Sequence, residues 1–159
     1  MTERSLFRAD NILCDLTVSS KKHLFQEMAT NLLTTPALKD TDIATRDIVN
    51  AALERERLGS TGVGSGVALP HARIDGIDCV YVVFARLETP LDYEAIDDRP
   101  VDLVALLLAP TDAGGAHLRA LAKVSRKLRL AETRQRLRSA PNAQSLFTLL
   151  TEERAATAA

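Results

Sequence analysis

The chain has 159 residues, the usual size of one compact domain with a substantial hydrophobic core. Its 20 Lys and Arg residues against 21 Asp and Glu residues give a formal net charge of −1, so it lacks the basic excess that binds nucleic-acid phosphates. Aromatic residues make up 4% of the sequence and Trp is absent, which removes the stacking surface that single-strand binders use. We therefore expect a single domain over residues 1–159, with its core at about 10–153 and frayed termini, and no nucleic-acid partner.

No segment of the sequence is typical of a membrane span or an export signal. The longest apolar runs, Val80–Ala85 and Val101–Ala109, are far shorter than the roughly 20 residues that cross a bilayer. The first eleven residues, MTERSLFRADN, carry charges where a signal peptide needs an apolar stretch. Cys14 and Cys79 are too few and too far apart for a disulfide framework or a paired-cysteine metal site. The sequence predicts a cytoplasmic protein with free thiols and no membrane insertion.

Two amphipathic helices are predicted in the first third of the chain, because apolar residues recur there at helical spacing. Before them, residues 1–11 are polar and expected to be loosely held, and residues 12–16 form a short strand or a packed segment. The predicted helices cover residues 20–34, with Ser19 or Ser20 as N-cap, and residues 45–57, with Thr41 as an alternative start.

Two nearly continuous runs of aliphatic and β-branched residues, 79–87 and 101–109, are typical of strands covered on both faces. A short strand over residues 67–71, stopped by Pro70, precedes them. Three further helices are predicted over residues 116–130, 132–139 and 142–153. The first of these is expected to bury one face, formed by Leu118, Leu121, Ala122, Ser125 and Leu128. The fold class is therefore α/β: a single-domain sandwich in which a mixed β-sheet of about five strands is flanked by helices.

Four of the seven glycines fall in the eight residues from Gly59 to Gly66. Glycine lets backbone N–H groups approach an anion closely, so this segment is a candidate phosphate cradle. It matches neither familiar phosphate-loop pattern, because Ser65-Gly66 stands where a P-loop has Lys-Ser/Thr and a strand follows where a dinucleotide fold has a helix. A tight turn between a helix and a strand explains the glycines equally well, and both interpretations stay open.

Two histidines are candidates for phosphoryl chemistry. His71 follows Pro70 at a predicted strand end, where rigid backbone can aim the side chain outward, and neutral imidazole is a nucleophile. His117 lies in the first turn of the helix predicted over 116–130, an end that favours anions, so a neutral ring there can donate a hydrogen bond to a phosphoryl oxygen. Each is also explained as an incidental surface histidine, and His23 is assigned no role. The spacing of His, Cys and acidic residues predicts no metal site.

The stretch from Arg55 to His71, RERLGSTGVGSGVALPH, resembles the signature of the enzyme IIA family of bacterial phosphotransferase systems. The resemblance is to the fructose/mannitol type, and most closely to its nitrogen-regulatory branch. Further matches are LETPLD at 87–92, AIDDRPVDL at 95–103, and His117-Leu118-x-x-Leu121. Together they cover roughly residues 10–153 in the same order, so the resemblance is far more specific than any fragment of it.

The resemblance implies a phosphotransferase-system component with a phosphohistidine intermediate and no cofactor, since its phosphoryl group comes from phosphoenolpyruvate through carrier proteins. It implies that His71 is phosphorylated by an HPr-like carrier, that His117 is a second active-site histidine, and that Arg55 lies beside the phosphate. The residues alone do not separate Arg55 from Arg57. Ala72-Arg73, where relatives often have Gly-Lys, is expected at the rim of the docking surface. The expected phosphate-binding residues are Ser60, Thr61, Gly62, Gly64 and Gly66.

Three functions are consistent with these features. The first is a phosphohistidine carrier that signals through its phosphorylation state to regulatory partners such as a sensor kinase or a transporter, in nitrogen, potassium or carbon regulation. The second is a sugar-specific enzyme IIA that passes phosphate to a fructose/mannitol-type permease component EIIB. The third is a non-catalytic binding module with an inert histidine. The 159 residues hold no fused permease or carrier segment, which favours the first over the second, and the set His71, His117 and Arg55 argues against the third.

Overall fold

An open mixed β-sheet of six strands forms the centre of the molecule in the computed structural model, which describes residues 6–152. The strands are β1 Ile12–Leu16, β2 Gly62–Gly64, β3 Val67–Ala68, β4 His71–Ile74, β5 Tyr81–Leu91 and β6 Val101–Pro110. Their order is β1-β5-β6-β3-β2, with β4 also paired to β6. β1 is parallel to β5, β3 and β4 are parallel to β6, and β5 and β6 are antiparallel. The predicted α/β class with a mixed sheet is confirmed, with six strands where about five were expected.

The segment predicted as one strand over 67–71 forms two strands that follow each other along β6. Val67 of β3 pairs with Leu103, and His71 of β4 pairs with Leu107. Pro70 lies between the two strands and has no N–H to donate to a sheet ladder. His71 therefore opens a strand, and the prediction that it ends one is wrong.

In the described part of the chain, five helices cover the sheet: α1 Lys21–Thr34, α2 Thr45–Arg57, α3 Gly115–Arg129, α4 Ala131–Ser139 and α5 Ala143–Thr151. α1 begins after Ser20, whose Oγ accepts a hydrogen bond from the His23 N–H at 3.0 Å, so Ser20 is the N-cap of the two candidates. α2 begins at the later of its two predicted starts, where the Asp47 carboxylate accepts the Ala44 N–H at 2.9 Å. Within residues 6–152, no helix is both long and apolar enough to cross a membrane.

The core lies on both faces of the sheet, as the two apolar runs predict. Successive residues of β6 alternate between the faces, so Leu106 and Leu108 pack in the cluster that contains α1 and α2. Ala105 and Leu107 pack in the other cluster, together with α3, α4 and α5. Both clusters are needed because β5 and β6 are almost entirely buried.

Residues 6–11 are not loosely held, so the expectation for this part of the N-terminus is wrong. Leu6 and Phe7 are 2% and 1% exposed and pack into the core, and residues 9–11 form a short 3-10 helix. The Asn11 amide donates to Asn31 Oδ1 at 2.8 Å and to Thr35 Oγ1 at 2.9 Å, which ties this segment to the end of α1. The predicted frayed residues 1–5 and 154–159 lie outside the described part of the chain.

The buried face of α3 also differs from the predicted one. Of the five residues predicted on this face, Leu128 is buried, but Leu118 is 64% exposed and Leu121, Ala122 and Ser125 are only partly buried. A second stripe at the same helical spacing faces the core instead, because both stripes satisfy the helical period and only packing chooses between them. Its buried residues are His117, Ala120, Val124 and Leu128.

Candidate active site: a cavity with two histidines

A cavity of about 620 Å³ opens between α2, β4 and the start of α3. Its polar lining consists of Glu54, Arg55, His71, Arg73 and His117. Its apolar lining includes Leu58 and Leu118, which are 83% and 64% exposed. The three residues that the family resemblance places at the reaction centre, His71, His117 and Arg55, therefore meet at one opening.

His71 is held by its Nδ1 atom. Nδ1 lies 2.8 Å from the carbonyl oxygen of Leu69, two residues earlier in the chain. Because a carbonyl oxygen only accepts hydrogen bonds, Nδ1 carries the proton in this contact. In the neutral ring the lone pair is then on Nε2, which makes Nε2 the nucleophilic atom.

His117 is buried at the third position of α3, with 5% of its surface exposed. Its ring centroid is 5.5 Å from that of His71, and the two planes make an angle of 84°. Burial lowers the pKa of His117, and the nearby His71 and Arg73 lower this pKa further, so the ring is neutral at pH 7. Among described residues, His117 Nδ1 is the one buried side-chain nitrogen or oxygen without a hydrogen-bond partner. Such an unpaired atom costs free energy unless a ligand engages it.

Two guanidinium groups line the cavity. Arg55, in the last turn of α2, is half-buried and donates from Nη1 to the Gly59 carbonyl at 3.0 Å. Arg73 is exposed on β4 and donates to the Thr111 carbonyl at 3.3 Å. Arg57 borders a different depression and contacts Glu54, so the structure separates the two arginines that the sequence left equivalent.

Arg73 was expected only at a docking rim, yet it lines the cavity beside the histidines. The signal that identifies it is strand alternation, because residues two apart on a strand project to the same face. Arg73 follows His71 by two positions on β4. The pattern His-x-Arg therefore brings a cation to the face that carries the nucleophile.

The glycine-rich segment lies outside the lining of this cavity. β2 and β3 form an antiparallel hairpin whose turn is Ser65-Gly66, here called the glycine hairpin, residues 62–68. The Ser65 N–H donates to Asp97 Oδ2 at 2.9 Å, and Arg138 donates to the Ser65 carbonyl at 2.7 Å. The structure thus places Gly62, Gly64 and Gly66 in a tight turn and strand pair, the alternative to a phosphate cradle.

Ser60 and Thr61 are also engaged away from the cavity. Ser60 Oγ accepts the Gly62 N–H at 3.0 Å. The Thr61 N–H donates to Glu56 Oε1 at 2.9 Å, and the Thr61 hydroxyl contacts the same carboxylate oxygen. Neither residue is in the lining that the two histidines share.

The cavity suits an anionic electrophile that bonds to a ring nitrogen. It combines the Nε2 atom of His71, two guanidinium groups and a neutral second imidazole, and phosphoryl transfer relies mainly on positioning and on countercharge of this kind. Residues 6–152 contain no group of three or more His, Cys, Asp or Glu side chains that could hold a metal ion.

Residues 5–153 match the family model described as phosphoenolpyruvate-dependent sugar phosphotransferase system, EIIA 2. The chain belongs to this family. It is 41% identical over 145 residues to the nitrogen regulatory protein of Bradyrhizobium diazoefficiens, a match that covers 91% of this chain and 92% of that protein. It is 38% identical over 104 residues to the fructose-specific EIIA component of the phosphotransferase system of Haloferax volcanii, covering 65% and 68%.

The solved structure of the nitrogen regulatory protein IIA-Ntr from Neisseria meningitidis has the same fold. It superposes with a TM-score of 0.84 at 33% identity and covers 93% of this chain and 98% of that one. The resemblance identified in the sequence is confirmed. The protein is thus a phosphotransfer component of the EIIA type.

Proposed function

We propose that the protein accepts a phosphoryl group on His71 Nε2 from an HPr-like phosphocarrier and signals to partner proteins through its phosphorylation state. The observation that carries the proposal is the hydrogen bond of His71 Nδ1 to the Leu69 carbonyl, at 2.8 Å. It leaves Nε2 as the nucleophilic atom in a cavity that also holds Arg55 and His117.

In the proposed reaction, Nε2 of His71 attacks the phosphorus atom of the carrier's phosphohistidine. The new N–P bond forms as the old N–P bond breaks, and the carrier's imidazole leaves with the electron pair of that bond. The His71 ring becomes more positive during attack, and its Nδ1–H already donates to a carbonyl that stabilises this charge. Arg55 and Arg73 offset the charge on the phosphoryl oxygens, and neutral His117 donates a ring N–H to one of them.

No metal or cofactor takes part in this scheme. In it, guanidinium and imidazole N–H groups alone offset the negative charge of the transferred phosphoryl group. The proposed location of this reaction is the cytoplasm.

A sugar-specific role is the second candidate, supported by the identity to a relative named as a fructose-specific EIIA component. The regulatory role is favoured because the relative at 41% identity and the structural neighbour at 33% identity are both named as nitrogen regulatory proteins. Transfer of label from the phosphorylated protein to a purified fructose/mannitol-type EIIB would support the sugar-specific role. If the protein keeps its label when EIIB is added but releases it to the HPr-like carrier, the regulatory role is supported.

The phosphorylation step is tested by incubating the protein with phosphoenolpyruvate, enzyme I and the HPr-like carrier, followed by intact-mass measurement. Wild type is expected to gain one phosphoryl group that is lost in acid and kept in alkali, and His71→Ala is expected to gain none. His23→Ala is the control, because His23 lies on α1 and contacts Ser19 at the surface. Phosphorylation of His71→Ala, or a label that survives hot acid, would disprove the proposal.

A further inference from the structure

A buried charged cluster lies behind the cavity, centred on Glu56, the residue after Arg55 on α2. The Glu56 side chain is 5% exposed. Its Oε2 accepts from Lys21 Nζ at 2.9 Å, and its Oε1 accepts from the Thr61 N–H at 2.9 Å and from the Tyr93 hydroxyl at 3.1 Å. The Thr61 hydroxyl contacts both Glu56 and Tyr93. Neither Glu56 nor Thr61 lines the cavity, so the reaction scheme above leaves this cluster without a role.

The Glu56 carboxylate is charged at neutral pH although it is buried. Burial raises the pKa of Glu56, but the hydrogen bonds from Thr61 and Lys21 outweigh that effect and hold this pKa below its ordinary value. A buried ion pair adds little net stability compared with apolar packing, and its best-supported use is to select one arrangement of the chain. The cluster is therefore suited to holding Thr61 in one place.

A continuous path of hydrogen bonds runs from this cluster to the nucleophile. Glu56 holds the N–H and hydroxyl of Thr61. The Thr61 carbonyl accepts the Leu69 N–H at 2.9 Å. The Leu69 carbonyl in turn accepts from His71 Nδ1 at 2.8 Å. Leu69 is thus held at its N–H by Thr61, while its carbonyl sets which nitrogen of His71 carries the proton.

We propose that Glu56 and Thr61 are positioning residues for His71. They hold Leu69 so that its carbonyl keeps the proton on Nδ1 and the lone pair on Nε2. This inference rests on the proposed role of His71 as phosphoryl acceptor. Without the anchor, Leu69 moves, the ring exchanges between its two tautomers, and the tautomer with hydrogen on Nε2 has no lone pair there for attack.

The test reads the tautomer directly in the unphosphorylated protein. Long-range proton–nitrogen NMR of histidine labelled with ¹⁵N, recorded where the ring is neutral, shows which nitrogen of His71 carries hydrogen. Wild type is expected to show hydrogen on Nδ1 alone. Glu56→Gln and Thr61→Val are expected to show a second population with hydrogen on Nε2, and Thr61→Ser, which keeps the hydroxyl, is expected to restore the wild-type spectrum.

The same variants are then phosphorylated through the HPr-like carrier. The initial rate of phosphorylation is expected to fall roughly twofold to tenfold in Glu56→Gln and Thr61→Val, because that is the effect of losing the net free energy of one hydrogen bond. It is expected to recover in Thr61→Ser. Glu88→Gln is the matched control, because Glu88 also accepts a threonine hydroxyl, from Thr17 at 3.1 Å, but at the exposed surface. It is expected to change neither tautomer nor rate.

The outcomes separate this inference from the proposed function. If wild type accepts phosphate and folded Thr61→Val keeps the wild-type tautomer or the wild-type rate, the positioning role is wrong and the proposed function stands. If wild-type His71 is not phosphorylated, the proposed function fails whatever the tautomer. Thr61→Val differs little in shape from wild type, so it decides the matter if Glu56→Gln does not fold.

Discussion

The cavity around His71 and the glycine hairpin are neighbours in the sequence but differ in how their polar groups are engaged. In the hairpin, the Ser65 N–H is bound by Asp97 at 2.9 Å. The Gly66 carbonyl accepts from the N–H groups of both residue 102 and residue 103 at 3.0 Å. In the cavity, the buried Nδ1 of His117 has no partner among the described residues.

This difference indicates which segment is built to meet a ligand. Polar groups already bonded within the fold gain little from a ligand, since each new bond would replace an existing one. Unpaired groups and exposed leucines gain from a partner. We therefore expect substitutions in the cavity to change phosphoryl transfer with little loss of stability, and substitutions in the hairpin to do the reverse.

The largest effect is expected from His117→Ala. The variant should still become phosphorylated on His71, but the rate of phosphoryl transfer between it and the carrier should fall by about 10- to 150-fold. The reason is that a lost hydrogen-bond donor to a charged group costs roughly 1.5–3 kcal/mol. His117→Gln should recover part of this loss. The measurement is the rate of phosphoryl transfer from the HPr-like carrier to the protein and from the protein back to the carrier. Unchanged rates in both directions would leave His117 as an ordinary helix-start residue.

Arg55→Ala is expected to slow phosphorylation by about tenfold, because the arginine offsets charge on the transferred group. Its midpoint of thermal unfolding should stay within a few degrees of wild type, as is usual near a helix end. Arg57→Ala is the matched control. Arg57 pairs with Glu54 at the surface and does not line the cavity, so Arg57→Ala should slow phosphorylation less than Arg55→Ala does. Equal losses in the two variants would mean that only the general positive potential matters.

Gly66→Ala should do the opposite and lower stability without changing the rate of the folded protein. Gly66 has φ +80°, and an added Cβ would collide with the Arg138 guanidinium and lie 2.9 Å from Asp102 Oδ1. The backbone conformation alone costs about 1–2 kcal/mol, which lowers the unfolding midpoint by roughly 2–8 °C. Gly76→Ala is the control for backbone strain, since φ is +95° there and the nearest contact is 3.6 Å, to Ile43. If Gly66→Ala slows phosphorylation and leaves the unfolding midpoint unchanged, the hairpin contributes to phosphate binding and the expectation is wrong.

The smallest effect is on the pH dependence of stability. Burial lowers the pKa of His117 in the folded protein below its ordinary value of 6.5. As the pH falls below that value, His117 is protonated in the unfolded chain but stays neutral in the folded protein. The free energy of unfolding therefore decreases until the pH passes the pKa of His117 in the folded state. His117→Gln should remove this part of the decrease. Thermal unfolding of both proteins between about pH 7.5 and pH 5 measures it, and parallel curves would contradict a lowered pKa.

Regular elements were predictable where the sequence pattern has a single solution. The apolar runs at 79–87 and 101–109 can only be buried on both faces, and they form β5 and β6. α2 buries Ile48, Val49 and Ala52 because its charged residues leave no other apolar face. α3 has two stripes of equal period, so the pattern could not choose between Leu118 and Val124, and packing against the sheet chose the latter.

The sequence by itself determined the family and three of the residues that meet in the cavity, because His71, His117 and Arg55 stand within a long ordered set of matches. Tertiary structure decided how they are used. Arg55 lines the cavity and Arg57 does not, and the path from Glu56 through Thr61 holds the residue that sets the proton on His71. These features depend on contacts between segments that meet only when α2, the hairpin and β4 pack together, so no local pattern in the chain encodes them.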